Sequence, residues 1–221
     1  MNTSFSEFLR EEAKKKGIKW NADVKNLRYD DAANMWHEAG KSIVGSAYRD
    51  VEPELTEQLI KFLLRDKSFK GDMDRGILIV GGHGTGKTVY MKILLTLFTF
   101  IHHIRTPSYT GKQIEAYMRL PEEDQRRVNL QRAFLLPTFL FDDLGEELNR
   151  VMVYGTEIEI GKEILTQRYN EFTSSGSITF ITTNIHTDNL SDKYGHRVES
   201  RMNEMFNFFA LEGEDMRKGS A

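Results

Sequence analysis

The chain has 221 residues, room for one domain of about 150 residues plus an appendage, and fourteen Phe, eight Tyr and two Trp supply the bulk for a packed core. The absence of cysteine excludes disulfide scaffolds, Cys-based zinc sites and iron–sulfur clusters, and four Pro with no repeated unit exclude collagen-like and solenoid chains. Thirty basic residues against thirty-three acidic ones give a net charge of −3, so no global positive field advertises nucleic-acid binding. The longest apolar-rich run, Ile93–Ile101, is too short to span a membrane. Met1-Asn-Thr-Ser-Phe5 is not a secretory signal, so a soluble cytoplasmic protein is expected.

The front third reads as helical. Ser4-Phe-Ser-Glu7 has capping-box spacing, Phe5, Phe8 and Leu9 form a short apolar stripe, and Gly17 is a stop signal. Further helices are predicted near Asp30–Gly40 and over Glu54–Leu64, the latter following Pro53. The polar stretch Asp66–Arg75 marks a boundary, dividing a helical region, 1–70, from a second unit, 71–221. From Gly76 the pattern alternates. Strands are predicted at Ile77–Val80, Thr106–Tyr109, Thr138–Phe141, Ser177–Thr182 and Phe206–Leu211. Helices are predicted at Thr88–His103, Gly111–Leu120 and Glu157–Phe172. This alternation argues for an α/β fold, a mostly parallel five-stranded sheet with helices on both faces.

Gly81-Gly82-His83-Gly84-Thr85-Gly86-Lys87-Thr88 satisfies the phosphate-loop pattern, with an apolar strand before it and a helix after it, where Val89 continues the first turn. Glycines let backbone N–H groups face a phosphate, and the helix N-terminus adds favourable electrostatics for an anion. Lys87 is the expected contact to the β and γ phosphates of ATP, and the Thr88 hydroxyl an expected Mg²⁺ ligand.

Phe139-Leu-Phe-Asp142-Asp143 describes a strand whose tip carries two carboxylates. Asp142 suits a Walker B acid that holds the metal, and Asp143 stands where a carboxylate could polarise an attacking water. Glu146 or Glu147 could serve as the base instead. The next apolar run ends in Thr182-Thr183-Asn184, at the strand end where open parallel sheets bind ligands, and Asn184 can bond both the γ-phosphate and a water. Downstream, Arg197 and Arg201 share one face of a helix. With Glu199 and Glu204 nearby they read as a salt-bridged surface or as an arginine finger entering a neighbouring subunit. Such a finger is worth roughly 10³–10⁵ in rate, so an isolated subunit would be a slow ATPase.

Together, GGHGTGKT, FLFDDLGEE, ITTN and YGHRVESRM resemble an AAA+ ATPase, and more narrowly the DnaC helicase-loader and IstB transposition-helper branch, over residues 70–213. The resemblance implies Arg201 as the finger, by the Ser-Arg pattern of the related DnaA initiators, with Arg197 as an auxiliary contact. It implies a homo-oligomer on single-stranded DNA whose N-terminal helices grip a replicative helicase, or an assembly on double-stranded DNA that engages a transposase. Asp143 departs from the Glu common in AAA+ proteins. The chain stops about ten residues after the last predicted strand, so the usual helical lid with its sensor-2 arginine has no sequence to come from.

Other features read as structural. His102 and His103 are adjacent and do not converge on a metal from a helix. His83 fills a variable loop position, and Phe206, Phe208 and Phe209 suit a core. Arg126, Arg127 and Arg132, beside Glu122, Glu123 and Asp124, read as a solvated charged segment, and the resemblance offers a DNA-facing surface as the alternative. A small-molecule P-loop kinase fits the paired aspartates and the arginine pair poorly, and a nucleotide switch without turnover is the remaining alternative.

Overall fold

The computed structural model describes residue 24 and residues 26–46, 48–147, 150–153 and 156–213. The expected helix around Ser4–Lys16 lies outside them. The first described helix, α1 (Tyr29–Val44), carries Asp30 and Asp31 in its first turn and Lys41 in its last, the polarity that suits the helix dipole. It buries Ala32, Trp36 and Gly40. Gly40 is required by packing, because a Cβ there would lie 2.3 Å from the Tyr48 ring. The second helix, α2 (Pro53–Leu63), opens on proline and buries Leu55, Leu59, Ile60, Phe62 and Leu63.

The remaining chain alternates strand and helix as expected. In order come β1 (Gly76–Val80), α3 (Lys87–His102), β2 (Ser108–Thr110), α4 (Gly111–Met118), α5 (Gln125–Ala133) and β3 (Thr138–Leu144). Then follow β4 (Val151–Val153), β5 (Thr156–Ile158), α6 (Ile160–Ser175), β6 (Ile178–Thr183), α7 (Leu190–Tyr194), α8 (His196–Met205) and β7 (Phe206–Ala210). Five strands form one parallel sheet in the order β2-β3-β6-β1-β7. Every residue of β6 is buried, as a central strand covered on both faces demands.

Alternation along β1 splits the core. Ile77 and Ile79 face a cluster with Trp36, Leu59, Phe62, Phe98 and Phe180, beneath α1, α2 and α3. Leu78 faces the other side, with Phe139, Phe141, Ile164, Ile181 and Met202, beneath α6 and α8. Phe180 meets both Phe62 and Phe98 edge-on, with centroids 6.3 and 5.6 Å apart, a favoured aromatic geometry.

Three local readings are corrected. The charged segment keeps Glu122, Glu123, Arg126 and Arg132 exposed, as expected, but forms an unexpected helix, α5. The helix is capped by Asp124, which accepts from the Arg126 N–H at 2.9 Å, and the segment departs from expectation at Arg127. Arg127 is buried there because its guanidinium donates to the Leu120 carbonyl at 2.8 Å. The helix expected from Glu157 starts at Ile160, because residues 156–158 pair antiparallel with residues 151–153. Finally, β3 runs through both aspartates to Leu144, with its pairing to β6 interrupted between Phe141 and Leu144. Among the described residues no helix is long and apolar enough to cross a membrane.

Candidate nucleotide site

The loop after β1 turns on glycine. Gly84 and Gly86 have φ of 76° and 97°, values that favour a residue without a side chain. Gly81 has no room for a Cβ, which would lie 2.2 Å from the Leu211 carbonyl oxygen. The Thr85 hydroxyl donates to the Gly82 carbonyl at 3.0 Å and closes the loop on itself. Helix α3 begins at Lys87, and its first turn contains no acidic residue, so its positive end favours an anion.

Parallel pairing of β1, β6 and β3 brings their polar tips together. Lys87, 5% exposed, donates to the Gly82 carbonyl at 2.7 Å and to Asn184 Oδ1. The amide of Asn184 meets His83 Nδ1 at 3.2 Å. Asp142 is buried at the end of β3, where one carboxylate oxygen accepts from the hydroxyls of Thr88, at 3.1 Å, and Thr182, at 2.6 Å. Thr88 and Asp142 are thus adjacent, as shared ligation of one hard cation requires. Among the described residues there is no cluster of three or more His, Asp or Glu side chains able to hold a metal unaided.

Asp143 has φ of 56°, an uncommon conformation for a side-chain-bearing residue. Its N–H donates to Thr182 Oγ1 at 2.8 Å, which fixes the peptide in that turn. The consequence is a division of labour: Asp142 turns to Thr88, while Asp143 faces the cavity. Burial raises the Asp143 carboxyl above its ordinary value, the nearby charges of Asp142 and Glu146 add to the rise, and Lys87 and His83 oppose it.

The cavity holds about 740 Å³. One side carries His83, Lys87, Thr88, Asp143, Glu146 and Asn184. The other is walled by Val44, Tyr48, Arg49, Val51 and Tyr90, mostly from the segment between α1 and α2. Three hydrogen bonds hold that wall. Trp36 Nε1 donates to the Tyr48 hydroxyl at 3.0 Å. The Tyr90 hydroxyl donates to Asp50 at 2.6 Å and accepts from the Glu52 N–H at 2.9 Å. Nothing in the sequence pattern marks residues 44–51 as part of a site. The only cue is their place ahead of the phosphate-loop strand.

The two glutamates after the aspartates separate. Glu146 is exposed, lines the cavity and lies 3.3 Å from Lys112. Glu147 is buried and turned elsewhere, accepting from the Gly145 N–H at 2.7 Å and the Tyr194 hydroxyl at 2.8 Å. Arg197 and Arg201 stand on α8, away from the cavity lining. Arg197 is exposed. The Arg201 guanidinium lies 4.8 Å from the Tyr169 ring centroid and 3.4 Å from Thr166 Oγ1, both on α6.

Solved structures with this arrangement of strands and helices are known. The crystal structure of the DnaC helicase loader matches with a TM-score of 0.58 at 20% identity, over 80% of this chain and 98% of that one. The DnaI crystal structure matches with a TM-score of 0.56 at 15% identity, over 81% and 92%. The replication initiator DnaA bound to AMPPCP and single-stranded DNA matches with a TM-score of 0.54 at 16% identity, over 75% and 48%. The chain shares its fold with these helicase-loader and initiator structures. No protein-family model and no curated protein sequence matches this chain.

Proposed function

We propose that this chain binds and hydrolyses ATP and acts as a DnaC-like loader of a replicative helicase. The observation that carries the reading is the convergence of Lys87, Thr88, Asp142 and Asn184 at the tips of three adjacent parallel strands, beside a cavity large enough for a nucleotide. Loop N–H groups and Lys87 hold the phosphates. Thr88 and Asp142 hold Mg²⁺, which when bound neutralises phosphate charge. Asp143 accepts a proton from the attacking water, and its raised pKa makes it the stronger base. Asn184 orients the water against the γ-phosphate. The apolar wall of Val44, Tyr48 and Val51 receives the base.

Arg201 completes the site of the next subunit, with Arg197 beside it. This accounts for two arginines outside the cavity of their own chain. Residues 1–70 grip the helicase, while the core, 71–221, assembles on single-stranded DNA. A net charge of −3 favours a grip shared among subunits over a grip by one. The protein works in the cytoplasm.

Two measurements test the reading. Lys87→Ala lowers ATP affinity by about a hundredfold in a direct titration, since one charge-assisted phosphate contact is worth roughly 1.5–3 kcal/mol. Unchanged affinity would sink the phosphate-loop assignment. Affinity purification of the full chain captures a hexameric helicase. Capture of a transposase instead overturns the loader assignment and leaves the ATPase standing.

A further inference from the structure

Glutamate is rarely this buried without partners that compensate its charge. Glu147, 5% exposed, lines no part of the nucleotide cavity, yet it sits four residues after Asp143. Its surroundings are shaped around it. A Cβ on Gly161 would lie 2.6 Å from Glu147 Oε1, and one on Gly111 would lie 2.9 Å from Oε2. Gly111 opens α4 and Gly161 is the second residue of α6, so the carboxylate rests against two positive helix ends.

Tyr194, which donates to Glu147, is the last residue of α7. Its neighbour Lys193 donates to the Gly145 carbonyl. Two consecutive side chains therefore tie α7 to residues 145–147, the loop that leaves the Asp142–Asp143 strand tip. Immediately after Tyr194, Gly195 has φ of 83° and ψ of 151°, and α8 starts at the next residue. Along its length α8 is held to α6 by Arg201 against Tyr169 and by the Tyr169 hydroxyl donating to Glu204 at 2.8 Å. The end of α8 nearest Arg197 is thus located by the Tyr194 and Lys193 bonds, across a single glycine.

We propose that Tyr194 and Glu147 clamp the arginine-bearing helix to the loop behind the Walker B aspartates, and are positioning residues for the arginines that enter the neighbouring site. This rests on the trans-arginine reading above. Displacement of a reacting group by about 1 Å can cost 10²-fold in rate, so a lost clamp is felt in turnover before affinity.

The test mixes two full-length proteins with ATP and measures steady-state hydrolysis. Lys87→Ala subunits donate an arginine and lack a working phosphate loop, while Arg201→Ala subunits have the loop and lack the arginine. The mixture hydrolyses ATP where neither protein alone does. A silent mixture overturns the trans-arginine reading, and the clamp with it. In an active mixture, Tyr194→Phe on the donor subunits lowers kcat tenfold or more with KM for ATP unchanged. The same change on the acceptor subunits lowers kcat by less than twofold. Lys193→Met on the donors shifts kcat the same way, threefold or more. Equal losses from donor and acceptor placement, or no loss from either, overturn the clamp and leave the trans-arginine reading intact.

Discussion

Lys87, the first residue of α3, and Asn184, just past the end of β6, are bonded, with the lysine ammonium donating to the asparagine side-chain oxygen. The register of β1 against β6, Val80 opposite Thr183, sets this pair in place. Asn184 also meets His83, so one amide reads the lysine on one side and the loop on the other. Asn184→Ala removes an uncharged group that acts on the transition state more than on the bound nucleotide. The expected outcome is a kcat about a hundredfold lower with KM within threefold of wild type. A KM effect larger than the kcat effect in steady-state assays contradicts the role given to Asn184.

Arg201→Ala separates stability from turnover. Arg201 is half-buried and stacked on one ring, so its loss shifts thermal stability by about 1 kcal/mol or less. On the trans-arginine proposal, hydrolysis per subunit is expected to rise with protein concentration in the wild type, and to be about a thousandfold lower in the variant at the highest concentration. Equal rates for variant and wild type across a dilution series rule out the finger.

Arg168 carries the opposite expectation. It is fully buried in α6 and donates to Thr179 Oγ1 at 2.8 Å and to the carbonyls of Phe134, Leu136 and Ile178 at 2.7, 2.8 and 3.2 Å. Burial lowers its pKa to about 10 against the weaker pull of Glu171, and it stays charged at neutral pH. Arg168→Met fills the space and removes the donor from four buried contacts, at a cost of about 3–5 kcal/mol. Urea titration measures the loss, and a midpoint equal to wild type refutes it.

His102 supplies a pH dependence. It is buried beneath α2 and bonded through Nε2 to the Leu63 carbonyl at 2.8 Å. Burial pushes its pKa below 6.5, Arg65 and His103 push the same way, and the Leu63 bond opposes them. The unfolded chain therefore binds a proton at a pH where the folded chain does not. Stability is complete above about pH 6.5 and declines as pH falls from there toward the folded value. His102→Gln keeps a donor for Leu63 and removes the titration. The difference in urea midpoint between about pH 7.5 and about pH 5.5 shrinks in the variant. An unchanged difference assigns the dependence to another group.

The phosphate loop is legible in the sequence because its chemistry is made by consecutive residues. Glycine spacing, Lys87 and Thr88 carry the whole arrangement, and the apolar run before them announces the strand. Asp142 and Asn184 are legible for a related reason, since both end buried strands whose tips must meet in a parallel sheet. Glu146 and Glu147 are indistinguishable in sequence. One faces the cavity and the other is buried because Gly111, Gly161 and Tyr194, from three distant segments, close around it. The hairpin of β4 and β5 has strands of three residues each, too short for alternation to register. Helix α5 escapes notice because few apolar residues mark its buried side, chiefly Leu130 and Ala133, and its third buried residue is an arginine.

The wall formed by Val44, Tyr48, Arg49 and Val51 makes the front helices a handle on the nucleotide cavity. Tyr48 is anchored to Trp36 in α1, and Tyr90 in α3 latches the same segment through Asp50 and Glu52. The position of α1 and the shape of the cavity on the side away from the phosphate loop are therefore set by the same few side chains. The polar strand tips and the apolar face beside the front helices thus bound the cavity from opposite sides.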